Sequence, residues 1–495
     1  MPLEPELTVA QAAAPSDVDT RFFGHPVGLA TLFFTEMWER FSFYGMRAIL
    51  IYYMTAATGL GFSVAKAGIL YGLYASSVYL MSLPGGWAAD RLFGARRAVL
   101  YGGILISAGE FCLASTGLPM FYAGLLLIIF GTGLLKPNVS TIVGMIYPQG
   151  DRRRDAGFSI FYMGINLGAF MSPLVCGWLG QKVNWHLGFA AAGIAMAIGV
   201  VQYVLSARFL GDAGVHPTHP VHSRGGLAAS LAGIAAVIAL AVVAIRVWHI
   251  DISADFIGNA FGFALLAISI GTFAWIFLNP HWSTVERKRG LAILVLFIGS
   301  CVFWMAYEQA GSSLSLFALR NTRDAVLGFH FPASWFQSLP AIFVIMLAPV
   351  FAWIWIAMGR REPSSPVKFA TALLFVGLGF LILVPASIMA GPSGKVSPMW
   401  LTVTYLLHTI GELMLSPVGL SAMTKLAPHR ALSLIMGLWF LSMSIGDYLA
   451  GRAASLYTSL PIPTLFGAVA GFAFAAALVG FVLVKPTERL MSGVR

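Results

Sequence analysis

Apolar residues along this chain come in long unbroken runs, not at every second position or at the three-to-four spacing of a one-sided helix. A helix rising 1.5 Å per residue needs roughly 20 apolar residues to cross a hydrocarbon layer. Letting Gly, Pro and charge clusters punctuate the runs predicts fourteen such helices, near 27–56, 64–89, 98–117, 119–147, 156–181, 187–210, 225–249, 254–279, 290–319, 333–359, 368–390, 399–427, 432–458 and 464–484. Several are longer than a crossing requires, which implies tilt or extension beyond the lipid.

The gaps between the runs alternate in character. Those after even-numbered helices are basic: Arg91, Arg96 and Arg97; Arg152 to Arg154; Arg208 and Arg224; Arg287, Lys288 and Arg289; Arg360, Arg361 and Lys368; Lys425 and Arg430; and, in the tail, Lys485, Arg489 and Arg495. Those after odd-numbered helices hold few bases, chiefly Lys66, Lys182, Arg246, Arg320, Arg323 and Lys395. Cytoplasmic loops retain Lys and Arg, so both termini are expected in the cytoplasm.

The fourteen helices divide as six, two and six. The seventh and eighth carry very few ionisable groups and follow a sharp change to the polar stretch Gly211 to Ser223. The expected organisation is a cytoplasmic tail (1–21), a six-helix bundle (22–211), a linker (212–224), an inserted two-helix hairpin (225–280), a cytoplasmic loop (281–289), a second six-helix bundle (290–485) and a short cytoplasmic tail (486–495). The fold class is thus an all-α polytopic membrane protein of two six-helix bundles plus an inserted pair. Secondary transporters commonly repeat a bundle in this way and bind substrate between the halves.

Composition supports a lipid setting. Of 495 residues 58% are hydrophobic and 10% charged, against roughly 45–50% and about 25% in soluble domains, too few charges to clothe a water-facing surface. The formal net charge of +10 does not point to nucleic acid, because the bases sit in short gaps and form no continuous stripe. Cys112, Cys176 and Cys301 all fall inside apolar runs, as small buried hydrophobes. The polar, acidic first twenty residues lack a basic leader region, so the first helix is expected to stay uncleaved. His216, His219 and His222 are evenly spaced but lie in a proline-containing linker without a Cys partner, so they read as a solvated loop and no metal is expected.

The informative residues are charges inside the apolar runs: Glu36, Glu39, Arg40, Arg47, Lys136, Glu308 and Glu412. Each unpaired charge at a helix centre costs roughly 2.5–3.5 kcal/mol, so the set would cost on the order of 20 kcal/mol if left facing lipid. They must therefore face one another or a water-filled cavity. In the first helix Glu36, Glu39, Arg40, Phe43, Tyr44 and Arg47 share one face of about 140° at 100° per residue. A stripe more than two turns long exceeds what snorkelling at a helix end accounts for. Lys136 stands in Gly131-Thr-Gly-Leu-Leu-Lys-Pro-Asn138, which lacks the spacing of a phosphate loop, and no other segment carries a nucleotide-binding signature. Acid in one half and base in the other make a natural gate. A buried carboxylate that loses its cation takes up a proton, which links protonation to opening. Asp447, near Gly446, admits either a local polar contact or a proton relay, and Arg452 is expected to snorkel at the outer interface.

These residues also carry a likeness. Glu36-Met-Trp-Glu39-Arg40-Phe-Ser-Phe-Tyr44-Gly45 resembles the E-x-x-E-R-F-x-x-Y-G signature of the proton-dependent oligopeptide transporter family, within the major facilitator superfamily. Phe161-Tyr-Met-Gly-Ile-Asn166-Leu-Gly-Ala169 resembles its second signature, and Gly86-Trp-Ala-Ala-Asp90-Arg91-Leu-Phe-Gly94-Ala-Arg96-Arg97 the superfamily's loop between helices two and three. Further matches are Leu135-Lys136-Pro137-Asn138, Phe303-Trp-Met-Ala-Tyr-Glu308-Gln309, Gly411-Glu412-Leu-Met-Leu-Ser416-Pro417 and Trp439-Phe440. The likeness runs from about Phe22 to the last helix, and the inserted pair is a feature of bacterial members.

The resemblance implies a monomeric, proton-coupled symporter that imports di- and tripeptides through a bacterial inner membrane by alternating access. Protons would be its coupling ion, with no other cofactor. Proton coupling would fall to Glu36, Glu39, Arg40 and Glu308. Arg47, Lys136 and Tyr44 would hold the peptide carboxylate, and Glu412 and Asn166 its amino end. Tyr79, Glu308 and Ser416 would also line the pocket, with Trp439 shaping a side-chain subpocket. Arg47 with Glu308, and Lys136 with Glu412, would be the gating pairs. Two departures from the family pattern stand out: Phe43 replaces a tyrosine, and Pro340 and Ala341 follow Gln337-Ser-Leu339 where an asparagine and a proline are usual. The residues leave another carrier substrate open, such as nitrate, a carboxylate or a drug, and also a peptide sensor without transport. They show no protease or hydrolase motif, so no enzyme is expected.

Overall fold

The computed structural model describes residues 20–148, 150–220, 253–326, 328–391 and 394–493. The first half is built from α1 (Gly28–Thr55), α2 (Val64–Ala88), α3 (Ala95–Leu113), α4 (Leu118–Met145), α5 (Arg153–Trp178) and α6 (Trp185–Ser206). After α7 (Ala254–Leu278) the second half follows: α8 (Thr284–Tyr307), the short α9 (Ser313–Asn321), α10 (Leu339–Met358), α11 (Ser365–Ala390), α12 (Met399–Leu426), α13 (Leu432–Ser455) and α14 (Ile462–Val482), then a terminal α15 (Val484–Leu490). The expected seventh helix, 225–249, lies outside the described residues, as do Arg224, Arg246 and His222.

Helix starts follow local chemistry. Ser63, Asn184 and Ser253 cap α2, α6 and α7 by accepting a backbone N–H within the first turn. Ser283 and Glu286 form a reciprocal capping box at α8. Ten of the spans, from α4 onward, are long and apolar enough to cross a membrane on composition alone. α1, α2 and α3 are not among these ten; α1 holds Glu36, Glu39, Arg40 and Arg47, which the protein interior accommodates.

Within the first half α1 packs on α5 and α6, and α3 on α4 and α6; within the second, α11 packs on α12 and α14, and α8 on α13. The halves meet chiefly where α2 lies along α13 and where α5 meets the Ala333–Ser338 turn and α10. The α2–α13 contact is close because it is made by small residues. A Cβ at Gly451 would stand 2.5 Å from the Gly72 Cα. Alongside, the Ser76 and Ser444 hydroxyls bond to each other at 2.7 Å. α7 rests on α2 and α13, outside both bundles.

Two expectations need correction. The ninth span is not one helix over 290–319: α8 begins earlier, at Thr284, and ends at Tyr307, where Glu308–Gly311 tightens into a 3₁₀ turn before α9. The tenth likewise opens with a 3₁₀ turn, Ala333–Ser338, and becomes α-helical at Leu339. Pro340 in its first turn lacks an N–H, which costs nothing where no intrahelical acceptor exists. A broken helix is tolerated at membrane depth where it is buried in protein, and Glu308, Gln309, Ala310 and Gly311 are all buried. In addition, a two-stranded hairpin (Ala325–Val326 with Phe329–His330) joins α9 to the tenth span.

The linker beyond α6 is strapped down. Arg96 donates to the carbonyls of Ala207 and Gly211, and the Thr218 hydroxyl and His219 N–H bond to Asp90. His216 and His219 are thus part of a loop held against the α2–α3 turn.

Candidate functional site

A cavity of about 190 Å³ lies between the halves. Its wall takes Glu36, Arg40, Tyr44 and Arg47 from α1, Tyr79 from α2, Lys136 from α4 and Asn166 from α5. From the second half come Glu308, Gln337, Pro340, Glu412 and Ser416. Three cations and three carboxylates therefore face a single space. On α1 the spacing 36, 40, 44, 47 keeps one stripe on the cavity, since residues three and four apart share a helix face. Glu39 and Phe43, at the edges of the expected arc, do not reach the wall and are buried within the first half.

Arg40 closes an acidic triad on α1. Its Nε lies 3.1 Å from Glu36 and against Glu39. Glu39 is fully buried, while one oxygen each of Glu36 and Glu39, and Nη2 of Arg40, lack a hydrogen-bond partner. One cation shared by two buried carboxylates leaves room for a proton, because two like charges at close range cannot both be ionised cheaply.

Arg47 bridges the halves through an ion pair with Glu308 and donates from Nε to Tyr71 at 2.6 Å. Toward the end where α1 finishes, further bonds tie the halves together. Tyr52 donates to the Ser315 carbonyl (2.9 Å), Trp335 to that of Leu174 (3.1 Å) and Ser338 to that of Phe170 (2.8 Å), and Ser334 N–H to Gln181 (2.9 Å). The cavity is closed at this end.

Lys136 and Glu412 differ from these pairs. The expected ion pair between them is not formed: Lys136 Nζ stands 3.9 Å from the centre of the Tyr79 ring, and Glu412 accepts a 2.5 Å hydrogen bond from Tyr307. Each charge is held by a neutral neighbour that leaves it available to a ligand. Asn166 lines the wall with its amide donating to the Tyr162 carbonyl.

Three further expectations change. Trp439 is buried against Phe369 and Gly419 and does not line the cavity, because its ring fills the space that a glycine on α12 leaves. Arg452 does more than snorkel: it pairs with Asp255 at the start of α7, at 3.4 Å. Asp447 is buried with neither carboxyl oxygen accepting from a neighbouring donor. Sequence reasoning also passed over Glu110 in α3, fully buried and bonded to Ser42, although a lone acid in an apolar run was visible. Tyr162, Trp304 and Tyr307 on the cavity wall fall inside the matched motifs without having been singled out, and Met443 carried no sequence signal beyond being apolar.

Two six-helix halves, a shared charged cavity and ion pairs across the halves define a secondary transporter of the major facilitator type. The chain belongs to the POT family, whose model matches residues 96–468. It is 39% identical over 494 residues to the peptide transporter YePEPT of Yersinia enterocolitica, covering 96% of this chain and 97% of that one. It is 37% identical to a di-/tripeptide transporter of Lactococcus lactis, covering 96% and 98%. Among solved structures, a peptide transporter POT in complex with sulfate superposes with a TM-score of 0.91 at 44% identity, covering 95% and 97%.

Proposed function

We propose that the chain is a proton-coupled symporter that imports di- and tripeptides by alternating access, working as a monomer in a bacterial inner membrane with both termini in the cytoplasm. The observation that carries this reading is the pair left open across the cavity. Lys136 on the first half and Glu412 on the second hold opposite charges, neither spent on an ion pair. A zwitterion with a carboxylate at one end and an ammonium at the other satisfies both at once, whereas a simple anion leaves Glu412 without a purpose. Backbone termini are common to all short peptides, so recognition there is blind to side chains. The apolar wall of Ile165, Ala169, Ala341 and Val344 then accommodates them loosely.

Protons enter through the buried carboxylates. On this reading the Arg47–Glu308 pair seals the outer side, so the structure faces the cytoplasm. Protonating Glu308 removes its charge, frees Arg47 and lets the outer side open. The Glu36–Glu39–Arg40 triad lies on the same stripe, where a change in its proton content alters the charge the peptide carboxylate meets.

Purified protein reconstituted into proteoliposomes with an imposed inward proton gradient should accumulate labelled dialanine, and Glu36→Gln should abolish accumulation. Failure of the folded wild-type protein to accumulate dialanine would reject the dipeptide assignment.

A further inference from the structure

We infer that Asp447, on α13, is a second proton-carrying residue of the outer gate: it receives the proton that Glu308 gives up when Glu308 pairs with Arg47. This rests on the reading of the chain as a proton-coupled symporter.

Asp447 lies where the backbone leaves no slack. A Cβ at its neighbour Gly446 would meet the Trp304 Cβ at 2.3 Å and the Met305 N at 3.0 Å, so α13 is pressed onto the last turn of α8, one turn before Glu308. On the other side, a Cβ at Gly72 of α2 would lie 3.1 Å from the Asp447 carbonyl. Asp447 is 2% exposed, and among the described residues no donor bonds either of its carboxyl oxygens. Among the described residues, the carboxyl of Glu308 stands close to the Asp447 carboxyl.

Among the described residues, the groups around this acid pair are few. Arg47 reaches it from α1, the hydroxyls of Tyr71 and Tyr79 from α2, and Lys136 at longer range from α4. On α7 the ionisable neighbour is Asp255, already engaged by Arg452. One guanidinium therefore serves two carboxyl groups, and its terminal nitrogen is bonded to Glu308. A buried carboxylate whose nearest cation is engaged by another acid, and which has no donor, neutralises by taking a proton. Two facing carboxyls hold one proton between them in preference to two negative charges.

The transfer balances without any other reactant. With the outer side open to water, Glu308 carries the proton, Arg47 is unpaired and Asp447 is a hydrated carboxylate. On closing, the Glu308 O–H bond breaks and an Asp447 O–H bond forms, while the new Glu308 carboxylate accepts the Arg47 N–H groups. Net charge in the gate is unchanged, so the gate closes without a proton having to leave the protein at that moment. Asp447 then holds the proton while the cavity faces inward.

The test uses full-length protein, wild type and Asp447→Asn, with two readouts. The first is the infrared C=O band of buried protonated carboxyl groups, recorded in detergent near neutral pH. Wild type should show a component that Asp447→Asn lacks, and that Glu308→Gln lacks as well, because removing either acid leaves one carboxylate for one arginine. The second readout is transport. Asp447→Asn should lower gradient-driven dialanine accumulation by about tenfold while leaving dialanine exchange at equal pH on both sides within about threefold, as expected when coupling alone is lost. Asp447→Glu should restore accumulation.

An unchanged band in Asp447→Asn overturns the proposal, as does full driven accumulation by that variant. Should Asp447→Asn not fold, the Glu308→Gln spectrum decides in its place: a retained component there is equally fatal. If wild type accumulates no dialanine, the symporter reading fails, and the band still reports independently whether the acid pair holds a proton.

Discussion

Lys136 and Glu412 are the two residues whose setting says most about the ligand. Both are charged, both line the cavity, and each is steadied by a tyrosine, with no counter-ion engaged. A hydrogen bond to a charged partner contributes roughly 1.5–3 kcal/mol, and losing one corresponds to about 10–100-fold in affinity. Glu412→Gln should therefore weaken dialanine binding by about that factor in calorimetry and leave the binding of an N-acetylated dipeptide little changed. Equal loss for both ligands would show that Glu412 does not meet the amino terminus. At this scale the sequence was highly legible. Charge in an apolar run is costly enough that its presence marks a site, and Glu36, Arg40, Arg47, Lys136, Glu308 and Glu412 all reach one cavity. Trp439 was misread for a complementary reason: an aromatic side chain serves equally well as cavity wall or as core filler, and nothing local distinguishes the two.

Among the elements, α2 and α13 govern how the halves touch. Their contact is made by Gly72, Ser76, Ser444 and Gly451, residues without bulk that allow backbones to come within direct reach. Gly451→Val would put its Cβ 2.5 Å from the Gly72 Cα and 2.7 Å from the Gly68 carbonyl oxygen, with two methyl groups beyond it. Overpacking of this kind costs about 1–3 kcal/mol, so the variant should melt at lower temperature in detergent and exchange peptide more slowly. A melting temperature equal to wild type would show that the contact is looser than the geometry implies. The break after Tyr307 belongs to this scale too. From sequence, 290–319 is a continuous apolar run; the chain instead tightens at Glu308, where the carboxyl turns to meet Arg47 from the other half. Apolar periodicity cannot report such a break, because both sides of it are buried.

For the molecule as a whole, the far end of the cavity is closed by the Arg47–Glu308 pair and by α5 against the Ala333–Ser338 turn. There a Cβ at Gly177 would fall 2.8 Å from the Ser334 Cβ, within the reach of a cross-link after a shift of under an ångström or so. The double variant Gly177→Cys with Ser334→Cys should lose dialanine uptake on oxidation and regain it with reductant, while either single variant stays insensitive. Uptake that survives a verified cross-link would mean that these segments do not part during transport, and alternating access about this cavity would have to be abandoned.

The amino-acid sequence by itself determined that the chain lives in lipid, how its helices divide into halves, and which charges had to be gathered inside. Those follow from free energies large enough to act residue by residue: the transfer of apolar runs and the cost of an isolated charge in hydrocarbon. The Arg47–Glu308 ion pair forms as the family likeness implies. Only the tertiary structure left Lys136 and Glu412 apart, set Asp447 against Glu308 and pressed α2 onto α13. Those choices depend on how helices distant in the chain pack against one another, which changes no local propensity and leaves no trace in the spacing of residues.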